Sequence, residues 1–192
     1  EITAVTSWGD EAKVTVEVSA ADENCHGPVR VANTYHFAYD DGKEYYPCGT
    51  TCYVWELQSK ETQEQTYESL ASSPFNKIRF CVFPKHYVYN LKEPAQYPFE
   101  IRENSPWSPS DFETEKLEKA PRNMFGGIDA MIENPDEVWD YTRPNPSYFE
   151  HIENTIARLG TMGIQADLIL FHPYDRWGYS RMNLEQQNFY LR

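Results

Sequence analysis

Basic residues are scarce: 17 Lys and Arg stand against 30 Asp and Glu, a formal net charge of −13. A surface of that sign repels phosphate backbones, so nucleic acid is not an expected partner. It equally repels an anionic bilayer surface, so no membrane partner is expected. No apolar run approaches the roughly 18 residues of a membrane span. There is no Gly-rich phosphate loop and no nucleophile elbow, which weighs against a small complete α/β enzyme of another class. Glu1 is preceded by neither an initiator Met nor a visible signal peptide, so the start reads as a processed end or the edge of a longer chain. Cysteine is sparse, with Cys25, Cys48, Cys52 and Cys81 and no Cys-x-x-Cys pair, so a zinc knuckle is not expected. Cys52 and Cys81 fall in or beside strands expected to be buried, where a free thiol behaves as a small hydrophobe. Free thiols point to a reducing compartment, and the expected location is cytoplasmic.

What the chain does have is core-forming material: 40% of its residues are hydrophobic and 15% aromatic, enough to exclude a disordered chain. Leu168 to Phe171 is an unbroken apolar run bounded by breakers, which reads as a strand buried on both faces. His172, Tyr174, Asp175, Arg176 and Trp177 follow it at once. Tyr46 to Trp55 and Asn76 to Tyr87 repeat the plan. In a parallel α/β sheet the residues just past the carboxyl ends of the strands line the site. Three such ends predict one shared pocket.

Taken in order, Val14, Val16 and Val18 alternate along Lys13–Ser19 as one face of a half-buried antiparallel strand. Val29–Val31 and Tyr35–Tyr39 read as strand pieces, and Asp40–Lys43 as a tight primed hairpin turn. Residues 1–45 are therefore expected to form a β-rich segment, and 46–192 an α/β region. Ser59–Leu70 is helical, with Ser59 as its cap and Ser73–Pro74 as its stop. The strand Ile78–Phe83 follows, which makes a β-α-β unit with parallel strands. Residues 88–143 look like an irregular, Pro-rich insertion with one short helix near Asp111–Lys119. Asn145 caps a second helix, with Pro146 at its first position and Phe149, Ile152, Ile156 and Leu159 as its apolar stripe. The strand Asp167–Phe171 comes next. Met182–Arg192 opens a further helix with neither cap nor dock.

The residues resemble a family. Asn76-Lys-Ile-Arg79 with Phe80-Cys-Val is similar to the second strand of retaining (β/α)8-barrel glycoside hydrolases. Leu168-Ile-Leu-Phe-His172 resembles their third strand. Cys48-Gly-Thr-Thr-Cys-Tyr-Val-Trp55 looks like the first strand of the cellulase-like and apiosidase-like branch, in which a small β-domain precedes the barrel. The resemblance runs from His26 onward, excluding roughly Ile101–Glu137. It implies a partial (β/α)8 TIM-type barrel, its first three βα units, preceded by a short antiparallel β segment. It implies hydrolysis of O-glycosidic bonds in poly- or oligosaccharides, with a carbohydrate substrate as partner and no cofactor.

That chemistry needs two carboxylates flanking the glycosidic bond. The resemblance puts the acid after the fourth strand, usually behind an Asn, and the nucleophile after the seventh. The sequence has no Asn-Glu dipeptide, so both are expected beyond Arg192 and no catalytic residue is assigned. Glu56 reads as polar lining or a helix cap. The resemblance implies that Arg79 keeps the nucleophile ionised and that His172 contacts a sugar hydroxyl or a catalytic Glu. Each has a plain alternative, an ordinary ion pair for Arg79 and a structural His for His172. Tyr53, Trp55, Tyr174 and Trp177 are candidate sugar platforms, or else packing. Lys85, His86 and Asp175 join the expected substrate-binding set, with Arg176 either orienting hydroxyls or pairing with Asp175. Nothing in the spacing of His86, His172 and Asp175 demands a metal, and none is expected. The alternative function is a non-catalytic carbohydrate-binding or assembly module. A half barrel leaves two open sheet edges, which would pair copies into a homo-oligomer.

Overall fold

The structure is a computed structural model that describes every residue except 1, 6–8, 10, 19, 21, 22, 24, 88, 91 and 110–131. The helix expected near Asp111–Lys119 lies outside the described residues. The chain divides into two compact units, Glu1–Tyr46 and Pro47–Arg192.

In the first unit, β1 (Ile2–Val5) and β2 (Glu11–Val14) form an antiparallel pair. The strand expected over Lys13–Ser19 is shorter and begins earlier, and Val14, Val16 and Val18 are all exposed. Alternation alone buries nothing when no second layer covers the face. A separate sheet joins β3 (Val29–Ala32), β4 (His36–Tyr39) and β5 (Glu44–Tyr45) in antiparallel order. Between β4 and β5 the Asp41 carboxylate accepts the Lys43 N–H at 2.9 Å. Gly42 alone in this loop has positive φ, at 89°. Tyr39 N–H donates to Lys43 O at 2.8 Å, so residues 40–42 form a three-residue loop closed by a left-handed glycine, rather than the primed two-residue turn.

The second unit carries the parallel sheet. Its strands are β6 (Gly49–Thr51), β7 (Lys77–Cys81) and β10 (Gln165–Ile169), with β7 in the centre. Gly49 lies opposite Lys77, and a Cβ on it would sit 2.9 Å from the Lys77 carbonyl oxygen. The glycine there lets the two backbones approach. Between β6 and β7 runs α1 (Lys60–Ala71), capped by Ser59, whose hydroxyl accepts the Thr62 N–H at 3.3 Å. A 16-residue helix, Pro146–Thr161, leads into β10 and is capped by Asn145, which accepts the Ser147 N–H at 3.1 Å. Alternate β7 residues, Ile78 and Phe80, pack with Trp55, Tyr67, Leu70, Leu159 and Ile164 into one core. Lys77 and Arg79 alternate onto the other face of the sheet.

β10 corrects the expected doubly buried strand. It starts at Gln165 and stops at Ile169, and each of its residues is half-buried. Leu170 and Phe171 lie past its end, 42% and 38% exposed. Among the described residues β10 pairs with β7 alone, so its other edge is open.

The stretch expected to be irregular holds the second core. Its antiparallel strands β8 (Phe99–Ile101) and β9 (Trp139–Pro144), with the single-turn helix α2 (Pro135–Val138), supply Phe99, Val138, Trp139 and Tyr141. These pack on Phe83, Trp177, Tyr179 and Met182. With α2 labelled, the helix Pro146–Thr161 is α3. The last helix, α4 (Leu184–Tyr190), is capped and docked, contrary to expectation. Asn183 and Gln186 form a reciprocal capping box, and Gln186 Nε2 donates to Asp136 Oδ1 at 2.6 Å. The described elements form a mixed α/β fold whose sheets do not close into a barrel, and no described helix is long and apolar enough to cross a membrane.

Phe80→Ala is expected to cost the second unit about 3–5 kcal/mol, the usual figure for emptying a buried phenyl site. Leu170→Ala, at a half-open position, is expected to stay within about 0.5–1 kcal/mol. Urea midpoints for the two variants check the contrast.

Candidate functional site

Strand pairing delivers the site. Past the end of β6 the ladder runs on: Cys52 N–H donates to Arg79 O at 3.0 Å, and Cys81 N–H donates to Tyr53 O at 2.7 Å. Past β7, Val82 N–H donates to Ile169 O at 3.0 Å. The three strand ends thereby arrive side by side, and the segments leaving them carry Tyr53, Lys85 and Tyr174.

Lys85 is the centre of this group. It is 8% exposed, and its Nζ stands 3.5 Å from the centroid of the Tyr53 ring, 4.7 Å from Tyr174 and 4.9 Å from Tyr87. Ring faces carry the negative end of the aromatic quadrupole, so they attract the ammonium. Burial pulls the Lys85 pKa below the usual lysine value, and the Cys81 thiol works against that. Burial also pushes the Cys81 thiol up to about 12, so it is an inert packing group. Asn90 Nδ2 donates to Lys85 O at 2.9 Å, and Gln58 Nε2 donates to Asn90 Oδ1 at 3.1 Å. His86 N–H donates to Tyr174 O at 3.4 Å. The last of these bonds holds the segments from β7 and β10 against each other, and the other two brace the β7 segment.

The remaining expected residues separate. Trp55 is 2% exposed and packs edge-on to Tyr67 and Phe80. Trp177 is 0% exposed inside the aromatic core. Neither ring offers a face to a sugar, so both are core residues and not platforms. Tyr53 and Tyr174, at 36% and 50% exposure, remain accessible to a ligand. Asp175 is buried; its Oδ1 accepts the N–H groups of Trp177 and Gly178 at 2.7 and 2.6 Å, and its Oδ2 accepts that of Ser180 at 2.6 Å. It shapes the turn and is not available to orient hydroxyls. Arg176 does not pair with Asp175; its guanidinium meets Glu93. His86 is buried with its ring edge-on to Trp177. His172 Nε2 lies 3.2 Å from Phe83 O, the geometry of a ring N–H donating to a carbonyl. Its Nδ1 is sealed from solvent and makes no hydrogen bond among the described residues. Burial lowers its pKa, with the Phe83 carbonyl opposing.

Arg79 takes the plain ion pair at this stage. Its Nε and Nη2 donate to Asp167 Oδ2 at 3.0 and 2.9 Å, and Lys77 Nζ reaches the same oxygen at 2.8 Å. Asp167 stands opposite Arg79 in the parallel register. Burial raises the Asp167 pKa, but the two cations together hold it below its ordinary value. Two cations against one carboxylate leave this face of the sheet positive.

Two clefts open where the turn Trp55–Leu57 meets α1. One, of about 340 Å³, is lined by Glu56, Gln63, Gln96, Tyr148 and His151. The other, of about 280 Å³, is lined by Pro84, Asn90, Lys92 and Glu93, beside the Lys85 segment. Among the described residues no group of three or more His, Cys, Asp or Glu side chains is placed to hold a metal ion. Cys52, expected to be buried, is exposed, and no disulfide joins any two of the four cysteines.

Tyr87, Asn90, Glu93 and Tyr148 were not among the expected site residues. Tyr87 had a signal, since it stands two positions from Lys85 and so shares its side in an extended segment. Tyr148 lies in the first turn of α3 and donates to Val82 O at 2.6 Å. Glu93 had no signal, because nothing periodic surrounds it.

Comparison with solved structures gives a likeness to part of a larger protein. A presumed glycoside hydrolase from Bacteroides vulgatus is 39% identical over 95% of this chain, with a TM-score of 0.70. The chain resembles part of a glycoside hydrolase. A second protein, named as a glycoside hydrolase, is 12% identical over 90% of the chain with a TM-score of 0.50, a likeness of fold alone. The chain spans 31% of the length of each. No protein-family model matches the chain, and no curated protein matches it.

Glu56 makes a titration test of the buried architecture. Its carboxyl is fully buried, and among the described residues neither oxygen is hydrogen-bonded to another residue. Burial drives its pKa well above the ordinary value, against its own backbone N–H. The native state therefore binds more protons than the unfolded chain once the pH passes the unfolded value of about 4.3. Stability from this group is full below that pH and is lost as the pH rises through the folded pKa. Urea midpoints at rising pH are expected to fall more steeply for the wild type than for Glu56→Gln. Parallel curves would contradict this.

Proposed function

We propose that this chain is the substrate-lining part of a retaining glycoside hydrolase of the (β/α)8 type. The observation that carries the reading is the convergence of Tyr53, Lys85 and Tyr174 at three adjacent parallel strand ends. The 39% identity to part of a presumed glycoside hydrolase supports it. A pyranose has an apolar C–H face and a polar rim, which two half-open tyrosine rings around an ammonium match.

Hydrolysis with retention needs a proton donor for the leaving oxygen and a carboxylate that attacks the anomeric carbon, roughly 5–5.5 Å apart. We assign neither role within this chain. Glu56 is sealed and favours its neutral form. Glu93 is taken up by Arg176, Trp177 Nε1 and Tyr97 OH. The proposal assigns both roles to the part of the larger relatives that this chain does not span. The positive face formed by Lys77 and Arg79 around Asp167 then has a use, because a nearby cation keeps a nucleophilic carboxylate ionised.

A second reading has its own support. β6 and β10 each pair on one side only among the described residues, and Leu170 and Phe171 are exposed just beyond β10. An assembly module would join copies through these edges, and light scattering at rising concentration would then show a dimer.

Titration calorimetry with neutral and acidic oligosaccharides tests the main reading. Tyr53→Ala and Tyr174→Ala are each expected to weaken binding by roughly fivefold to tenfold, the loss of about 1–1.5 kcal/mol from one aromatic contact. Nitrophenyl glycosides are expected to remain intact with this chain alone. Turnover of those glycosides would place the carboxylates inside it and refute the assignment.

A further inference from the structure

We propose that Lys85 sets the specificity of the strand-end site, and that the sugar it selects is a single uronate ring, a pyranose carrying a carboxylate. The inference rests on the carbohydrate reading above and narrows its substrate class.

The first support is the missing counter-ion. The chain has 30 acidic residues against 17 basic ones, so a lysine would ordinarily find a carboxylate nearby. Lys77 finds Asp167 and Lys13 finds Glu11. Among the described residues Lys85 is the deeply buried lysine, yet no Asp or Glu among them pairs with it, and its neighbours are ring faces. Its Nζ makes no hydrogen bond among the described residues and is not one of the sealed polar atoms. A small opening therefore leads to a cation that has lost most of its water. Ring faces recover part of the lost hydration energy, and an anion would recover more. Burial already pulls the Lys85 pKa down, a cost that a bound carboxylate reverses.

The second support is construction. The ammonium is not on a loose surface chain. Asn90 grips its carbonyl, Gln58 orients Asn90, and His86 N–H reaches the Tyr174 carbonyl. The cage draws one tyrosine from each of the segments after β6 and β10 and a third, Tyr87, from the segment after β7. Such a site is positioned before the ligand arrives, which reduces the ordering cost of binding.

The chemistry narrows the ligand. A lone ammonium is a point charge and suits one carboxylate; phosphate and sulfate are better served by a planar guanidinium fork or several donors. Tyr53 and Tyr174 stay partly exposed beside the ammonium, where the C–H face of a pyranose can lie while its carboxylate meets Nζ. The net charge of −13 disfavours an extended polyanion, so the fit is to one acidic ring among neutral neighbours.

The test is calorimetry on the whole chain at low salt. The probes are the methyl glycosides of glucuronic and galacturonic acid, each against its neutral counterpart, methyl glucoside or methyl galactoside. At least one acid is expected to bind tenfold or more tightly than its neutral counterpart, and Lys85→Met is expected to bring that ratio to about one. Equal binding of acid and neutral sugar overturns the inference and leaves the carbohydrate reading standing. So does a preference that survives Lys85→Met. Binding of none of the four removes the carbohydrate reading and the inference with it. Should Lys85→Met fail to fold, the wild type decides. Its preference for the acid is expected to fade as the pH rises toward the ordinary lysine range of about 10.4, because the ammonium is then lost. A preference still undiminished at that pH overturns the inference.

Discussion

The second unit depends on how one buried cation is neutralised. Arg176 is fully buried, and burial brings its pKa down to about 10. An uncompensated guanidinium there would be very costly. Glu93 meets it, and the same carboxylate accepts the Trp177 indole N–H at 2.9 Å and the Tyr97 hydroxyl at 2.5 Å. Arg176 and Trp177 belong to the segment after β10. Glu93 and Tyr97 belong to the segment after β7. One ion pair therefore ties together two strand-end segments that no ladder joins. Removing either partner would strand a charge in an aromatic core, so the pair acts as a constraint on geometry more than as a source of net stability.

That constraint explains the division of labour among the aromatics. Trp177 and Trp139 are linked through the bond from Trp139 Nε1 to Trp177 O at 2.8 Å, and Tyr179 stacks on Trp177 and packs tilted against Trp139. These rings form the floor. Tyr174 lies three positions before Trp177, on the other side of the turn that Asp175 closes. The turn sends one ring down into the core and leaves the other at the surface. A short string of aromatic and polar residues thus does two jobs. Asp175, Arg176 and Trp177 build the turn, and Tyr174 is presented by it.

The sequence showed the elements whose signals are local. Ser59 and Asn145 announce their helices because a capping side chain acts on an N–H two or three residues away. The order of β6, β7 and β10 follows from the intervening helices, because a helical crossover makes parallel neighbours. The second core was hidden for the opposite reason. Phe99, Trp139 and Trp177 are far apart in sequence and belong to segments without period, so only the closed structure reveals that they meet. The stretch Lys13–Ser19 misled in a different way. Its alternating valines have the pattern of a buried face, but burial needs a second layer, and alternation cannot report whether one exists.

The same distinction governs the site. Strand-end position picked out Tyr53, Lys85 and Tyr174, because parallel register carries equivalent positions to one end of a sheet. It could not separate Tyr174 from Trp177, since both follow the same strand. What separates them is the carboxylate between them: Asp175 turns the backbone, so the ring before it stays at the surface and the indole after it is buried. Arg79 illustrates the complementary limit. Its direction away from Ile78 and Phe80 follows from the two-residue period of a strand. Its partner Asp167 sits 88 residues away and is set by the pairing of β7 with β10. Direction is a property of one strand, whereas partnership is a property of the register between two.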